Sequence, residues 1–429
     1  MEEEVIKVKH KFSRLLRILG PGLITGAADD DPSGIATYSQ TGAQFGYGQL
    51  WTALFMLPFQ TAVQEACARI GAVTGKGIVA VVKQRFGQKL VYFVVALVLI
   101  ANIINIGADI GAMAAAAKLI FNINYVTLTL CFTLIILSLE IFTSYKRYAK
   151  ILKWLSLALL SYLITAFIVN EPWLTLLKST LIPHFELSFG FLFIITGVLG
   201  TTISPYMFFW QASEEVEEER RQHMEIIERP RISWHYIRTL RLDNLLGMIA
   251  SEIATWCIIV STATVLHSHG ITNIATSADA AKALEPLVHT FPNSGYVAKV
   301  IFSTGIIGLG LLAVPVLSGS ASYAICEAMN WRASLNYKLK KARGFYGVII
   351  VATVIGLLIN FVGIDPIRAL VYAAVINGVV AVPLIFLIAI IANDKKTMGD
   401  FKSKKISNVL VWLTFLGMGA AAVALFILV

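Results

Sequence analysis

Apolar runs of about 20 residues, the length that carries a helix across a bilayer, recur along the chain between short polar stretches. Eleven such segments are predicted, at about 15–44, 50–72, 91–120, 125–142, 151–169, 189–213, 243–266, 298–326, 346–363, 367–391 and 407–428. Two of them are interrupted. The first holds Asp29-Asp30-Asp31-Pro32-Ser33-Gly34 in its middle, and the sixth holds Gly200-Thr201-Thr202-Ile203-Ser204-Pro205-Tyr206. Proline lacks an N–H and glycine tolerates unusual dihedrals, so each helix is expected to stop and restart there. A carboxylate at the bilayer centre costs about 2.5–3.5 kcal/mol on insertion scales, so three in a row must line water or meet a cation.

Broken helices at corresponding places in two halves of a chain point to the binding site of a transporter. Segments one to five and six to ten each open on a broken helix, and five crossings per half insert the second half upside-down. The reading is an all-α polytopic membrane protein of LeuT type. It has two inverted five-helix repeats, at about 15–169 and 189–391, an extra helix at about 407–428, and a cytoplasmic tail at 1–14 ahead of a single transporter domain, 15–429.

Composition agrees: 57% of residues are hydrophobic and only 14% are charged. The charges cluster in alternate loops, with Lys76, Lys83 and Arg85, then Lys146, Arg147 and Lys150, then Arg220 to Arg238, then Arg332 to Lys341, then Lys395 to Lys404. By the positive-inside rule those loops are cytoplasmic, which puts the N-terminus inside and the C-terminus outside, as for a plasma-membrane protein. The net charge of +9 is explained by this bias and calls for no nucleic-acid partner. Glu2, Glu3, Glu4, Lys7 and Lys9 make the first residues too charged for a signal peptide. Cys67, Cys131, Cys257 and Cys326 are far apart in apolar segments, so packing rather than a disulfide or zinc site is expected.

Polar residues inside the segments are the candidates for chemistry. Gln60 and Gln64 share a face of the second segment, where Glu65 and Arg69 form an i,i+4 pair read as structural. Asn102, Asn105 and Asp109 form a stripe on the third, facing protein or a water path, or making helix–helix contacts. Asn377-Gly378 lies in the tenth, and Ser318, Ser320 and Ser322 in the eighth. The acidic run Glu214 to Glu219 is expected to be a solvated helical extension, and His267 with His269 a weak metal signal in an external loop. All seven histidines fall in loops or at segment ends. No nucleophile–base pair or cofactor fingerprint meets at one site, so an enzyme is not expected, nor any cofactor beyond a transported ion.

At a helix break the last carbonyls lose their partners and carry partial negative charge. Asp31 adds a full one. Opposite it, the break before Pro205 frees the carbonyl of Thr201 or Thr202, and Ser204 offers a hydroxyl. Together they suit a hard cation. The competing readings are an organic substrate held at half-helix ends and a proline-kinked helix with its acids in a cytoplasmic vestibule.

The stretch GPGLITGAADDDPSG, the TGKG after segment two and the position of the second break resemble the Nramp (natural resistance-associated macrophage protein) family of divalent-metal transporters, over nearly the whole chain. The family's first-helix Asp-Pro-Gly-Asn corresponds to Asp31-Pro32-Ser33-Gly34, which keeps the metal-binding Asp and replaces the Asn ligand by Gly34. Its sixth-helix Met-Pro-His corresponds to Ser204-Pro205-Tyr206, and a further family His to Gln211. Of the family's Asp and Glu on the third helix, Asp109 is kept and the Glu position is Ala112. These departures resemble the Nramp-related branch associated with magnesium.

The resemblance implies import of a hard divalent cation, Mg²⁺ or Mn²⁺, by alternating access, with weak or no proton coupling. Asp31, Gly34, Thr201, Ser204, Asn377 and Gln60 are the expected metal-site residues, with Gly34 leaving room for water. Asp109, Tyr206 and Gln211 mark where a proton path would run. The alternatives are a proton-coupled transition-metal importer, an amino-acid or organic-cation symporter on the same scaffold, and a non-transporting metal receptor.

Overall fold

A computed structural model of the protein describes residues 25–26, 29–143, 160–168, 172–221 and 232–428. The tail 1–14, Gly20-Pro21-Gly22, the loop Tyr145 to Tyr148, most of the fifth segment, and Arg229 and Arg231 lie outside the described residues.

The described chain is helical. Its main helices are α1 (Pro32–Phe45), α2 (Trp51–Thr74), α3 (Ile78–Phe86), α4 (Gln88–Lys118), α5 (Tyr125–Phe142), α6 (Leu160–Ile168), α7 (Trp173–Leu181), α8 (Phe189–Thr202), α9 (Pro205–Arg221), α10 (Trp234–Val265), α11 (Ser294–Met329), α12 (Arg343–Ile359), α13 (Pro366–Asn393) and α14 (Lys405–Leu428). Among the described residues, seven spans are long and apolar enough to cross a membrane, the α8–α9 pair counting as one. α2, with Gln60, Gln64, Glu65 and Arg69, and the shorter α12 accompany them. The helices fall where the apolar segments predict, and the 346–391 region divides at residues 360–365, ahead of Pro366. The amphipathic α3 and the short α7 lie between predicted spans.

Helix ends follow local chemistry. Gly75, at φ 62°, closes α2 in the left-handed conformation that a side chain disfavours, within the TGKG stretch. Asn124, Ser188, Ser233 and Asp365 cap α5, α8, α10 and α13 with side-chain oxygens, each cap contributing about 1 kcal/mol.

Helix packing relies on small residues. α4 lies along α11 and α12, α8 along α13, and α1 along α10. Gly107 of α4 meets the backbone of Gly356 on α12. Gly200 of α8 lies so close to α13 that a Cβ there would fall on the Ala374 carbonyl and the Gly378 amide. Such contacts replace the hydrophobic driving force that helices lack inside lipid.

The acidic run departs from its expected solvated character. Glu214, Glu215, Glu217 and Glu219 are all buried. Glu217 accepts hydrogen bonds from Ser334 Oγ (2.9 Å) and Asn336 Nδ2 (2.8 Å), and Glu215 from Gln211 Nε2 (3.0 Å) and Tyr236 OH (3.1 Å). Donors more than 100 positions away cover this face, and a local charge pattern cannot reveal them. The cysteines are unpaired, with Cys67, Cys257 and Cys326 buried and Cys131 on the outer surface of α5. His267 and His269 bond separately to the carbonyls of Ala43 and Val265.

Candidate metal centre

The first break is built by Asp31. Its backbone is extended (φ −67°, ψ 172°), Pro32 starts α1, and the Asp31 side chain caps the new helix by accepting from Gly34 N at 2.8 Å. A carboxylate here lies on the positive end of the α1 dipole. The same oxygen, Oδ1, accepts from Ser33 Oγ at 2.6 Å. The other, Oδ2, accepts from Asn105 Nδ2 of α4 at 2.9 Å and from Tyr206 OH of α9 at 3.3 Å. Asp31 is 1% exposed, so one buried carboxylate joins α1, α4 and α9.

The second break faces it. α8 ends at Ile203 (φ −120°, ψ 64°) and α9 restarts at Pro205. Ser204 Oγ donates back to the carbonyls of Gly200 (2.8 Å) and Thr201 (2.7 Å), satisfying oxygens that the break would orphan. The two breaks touch through Ser33 Oγ and Thr201 Oγ1 at 3.4 Å, and through Tyr38 OH and Thr202 Oγ1 at 2.9 Å. A Cβ on Gly34 would approach Thr201 Oγ1 and Tyr38 Cε2 at 3.3 Å each, so a side chain here would crowd the contact between the two breaks.

The four remaining predicted residues are placed differently. Gln60 donates to Asp29, not Asp31, through Nε2. Asn377 is buried on α13 with both amide atoms lacking a partner, an incomplete polar group at membrane depth. Gln211 accepts from Thr25 and donates to Glu215, which makes it a strut between the N-terminal side of the first break and the acidic face of α9. Asp109 lies within electrostatic reach of Asp31, and neither of its carboxylate oxygens has a partner.

Asp29 and Asp30 are buried. Ser251 Oγ of α10 donates to Asp29 at 2.8 Å and lies 3.2 Å from Asp30, and the adjacent Glu252 interacts electrostatically with both. Asn105, Ser33, Ser251 and Glu252 were not predicted at the site. Two had a signal: Asn105 lies on the polar stripe of α4, and Glu252 is an acid in the middle of an apolar segment. Among the described residues, no three His, Cys, Asp or Glu side chains converge to hold an ion. Asp31 is the carboxylate that both breaks share, bonded to neutral hydroxyl and amide groups, with Asp29, Asp30 and Asp109 as further buried acids nearby.

Known proteins share this fold. The family model described as "Natural resistance-associated macrophage protein-like" matches residues 22–428. A protein of Yersinia pestis named "Divalent metal cation transporter MntH" is 27% identical over 430 residues, covering 94% of both chains. The crystal structure of the Eremococcus coleocola manganese transporter superposes with a TM-score of 0.75 at 16% identity, over 96% of this chain and 86% of that one. Mhp1, a nucleobase-cation-symport-1 family transporter, superposes at 0.58 and 13% identity, over 96% and 90%. The fold is LeuT-like. With a family match that spans both proline breaks and nearly every helix, the chain is an integral membrane protein of the Nramp family.

Proposed function

We propose that this chain carries a divalent metal cation across the plasma membrane, into the cytoplasm, by alternating access. The observation that carries the reading is Asp31, a buried carboxylate held between two proline breaks in an Nramp frame. The names of the Yersinia and Eremococcus proteins support a divalent cargo. Mg²⁺ or Mn²⁺ is favoured over softer ions, because the groups around Asp31 offer oxygen and amide atoms and Ser204 stands where the family has a thioether. The proton of Ser204 Oγ is committed to two carbonyls, which leaves its lone pairs for a cation. Asp31 is the central ligand, Thr201 and Ser204 supply oxygens from the second break, and Asn377, with both amide atoms unpartnered, is a secondary candidate. Gln60 acts through Asp29.

Flux of Mg²⁺, Mn²⁺ and Ca²⁺ into proteoliposomes tests the reading, with Asp31→Ala as the control that abolishes it. Competition by unlabelled metal against an amino acid or organic cation separates it from a symporter. Binding of metal without flux would identify a receptor instead.

A second reading, coupling of metal entry to protons, is favoured by one observation, the unpartnered carboxylate of Asp109 within reach of Asp31. Against it, Tyr206, Gln211 and Ala112 stand where the family has titratable groups, and none changes charge near neutral pH. The expected result is metal flux without matching acidification of dye-loaded liposomes. Robust metal-dependent proton entry would reverse the order of the two readings.

A further inference from the structure

A groove of about 670 Å³ opens between α2, α10 and the start of α14, and neither Asp31 nor the second break lines it. That volume lies within the range of about 300–1,000 Å³ typical of ligand pockets. Its walls are apolar over most of their area, with Leu57, Ala62, Leu245 and Leu410 among them. They run on into exposed apolar side chains, Leu54 and Phe55 on α2, Leu242 on α10, and Val409 and Leu413 on α14, which form a surface that faces lipid acyl chains.

One end of the groove is basic. Arg241, Lys404 and Lys405 line it, against a single carboxylate, Glu65. Glu65 is neutralised where it stands, by Arg69 at 2.9 Å and Arg241 at 2.8 Å. Lys404 Nζ sits 5.5 Å from the Trp234 ring centroid, which holds the ammonium at the rim next to an aromatic of the type found at membrane interfaces. Inside the groove, Thr61 Oγ1 has no hydrogen-bond partner. The charge pattern of the loops puts this end at the cytoplasmic leaflet, where anionic lipids collect.

We propose that this groove is a binding site for an anionic phospholipid, with an acyl chain along the apolar walls and the phosphate at Lys404 and Lys405. A surface lysine cluster alone would attract anionic lipid without holding one. A groove without cations would hold lipid without choosing its headgroup. The combination does both, at a point where three helices meet.

The test is native mass spectrometry of the purified full chain, comparing retention of phosphatidylglycerol and phosphatidylcholine with matched acyl chains. Wild type is expected to retain phosphatidylglycerol preferentially. Lys404→Ala with Lys405→Ala, both at exposed positions, should reduce that preference about 10- to 30-fold. Leu245→Trp, which fills the groove and keeps every charge, should displace both lipids. Equal retention of the two lipids by wild type overturns the proposal, as does a preference that survives loss of both lysines. Unchanged retention in Leu245→Trp shows that the lipid sits on surface charge alone and also overturns it.

Discussion

The two helix breaks solve one structural problem with different chemistry. At both, a proline ends regular hydrogen bonding and leaves polar backbone atoms to be satisfied within the membrane. At the first, a carboxylate closes the gap: Asp31 caps α1 and is held by Ser33, Asn105 and Tyr206. At the second, a neutral hydroxyl does so: Ser204 bonds back to Gly200 and Thr201. Of the two groups that close the breaks, only the first is charged. On the proposed reading, the first break supplies attraction for a cation, and the second adjusts which cation is preferred.

The largest expected effect comes from removing the charged side of this pair. Asp31→Asn keeps the shape of the cap and removes the charge, and metal flux should fall more than about 100-fold, beyond the 10- to 100-fold typical of supporting residues. Proteoliposome uptake measures this, and an unchanged size-exclusion profile confirms folding. Near-normal uptake would remove Asp31 from the centre.

Next is the side chain that positions it. Asn105→Ala withdraws the 2.9 Å donor to Asp31 Oδ2 and should lower apparent metal affinity by about 10-fold or more. Asn102→Ala on the same helix face loses only a bond to the Leu317 carbonyl and should leave affinity nearly intact. Equal effects of the two on competition binding would mean that the polar stripe acts through general packing.

Ser204→Met sharpens the neutral side. A thioether favours polarizable ions and offers little to Mg²⁺, so the ratio of Cd²⁺ to Mg²⁺ affinity by calorimetry should rise by about 10-fold. The substitution also releases two carbonyls, so some loss of stability accompanies the switch. An unchanged ratio would mean that Ser204 serves the helix end and not the ion.

The smallest effect is expected at Gly34, where the breaks meet. Its Cβ would approach Thr201 Oγ1 at 3.3 Å, and a shift of a few tenths of an ångström relieves this. Gly34→Ala should lower thermal stability by about 1 kcal/mol, within the range for a crowded small-to-large change. Gly34→Asn should cost more, and any return of transition-metal preference will appear against that background.

Both breaks were legible in the sequence because proline and glycine act locally, and an acid beside a proline in an apolar run has few uses. The positions of the spans were legible for a similar reason, since bilayer thickness sets their length. Partner choice was not. Gln60 shares a helix face with Gln64, and of the three adjacent carboxylates it bonds to Asp29 and not Asp31, a choice that depends on how α2 is rotated against the first break. The glutamates of α9 read as solvated because their charges alone were visible. Their covering donors are Tyr236, at the start of the next helix, and Ser334 and Asn336, on chain that returns only after further crossings. Local rules locate discontinuities, and tertiary contacts decide what surrounds them.

The contact at Gly200 bears on how this protein can bend. Because a single methyl there would strike the backbone of α13, α8 and α13 are bolted together with no gasket between them. Beyond Ile203 the other half-helix, α9, is held to α2 just as closely, since a Cβ on Gly71 would strike the Ala212 carbonyl of α9. The second break therefore joins two plates, each fixed to its own wall, α8 to α13 and α9 to α2. Any bend at Ile203 and Ser204 has to move one pair against the other, and Tyr206 at the near end of α9 ties that pair to the carboxylate of Asp31.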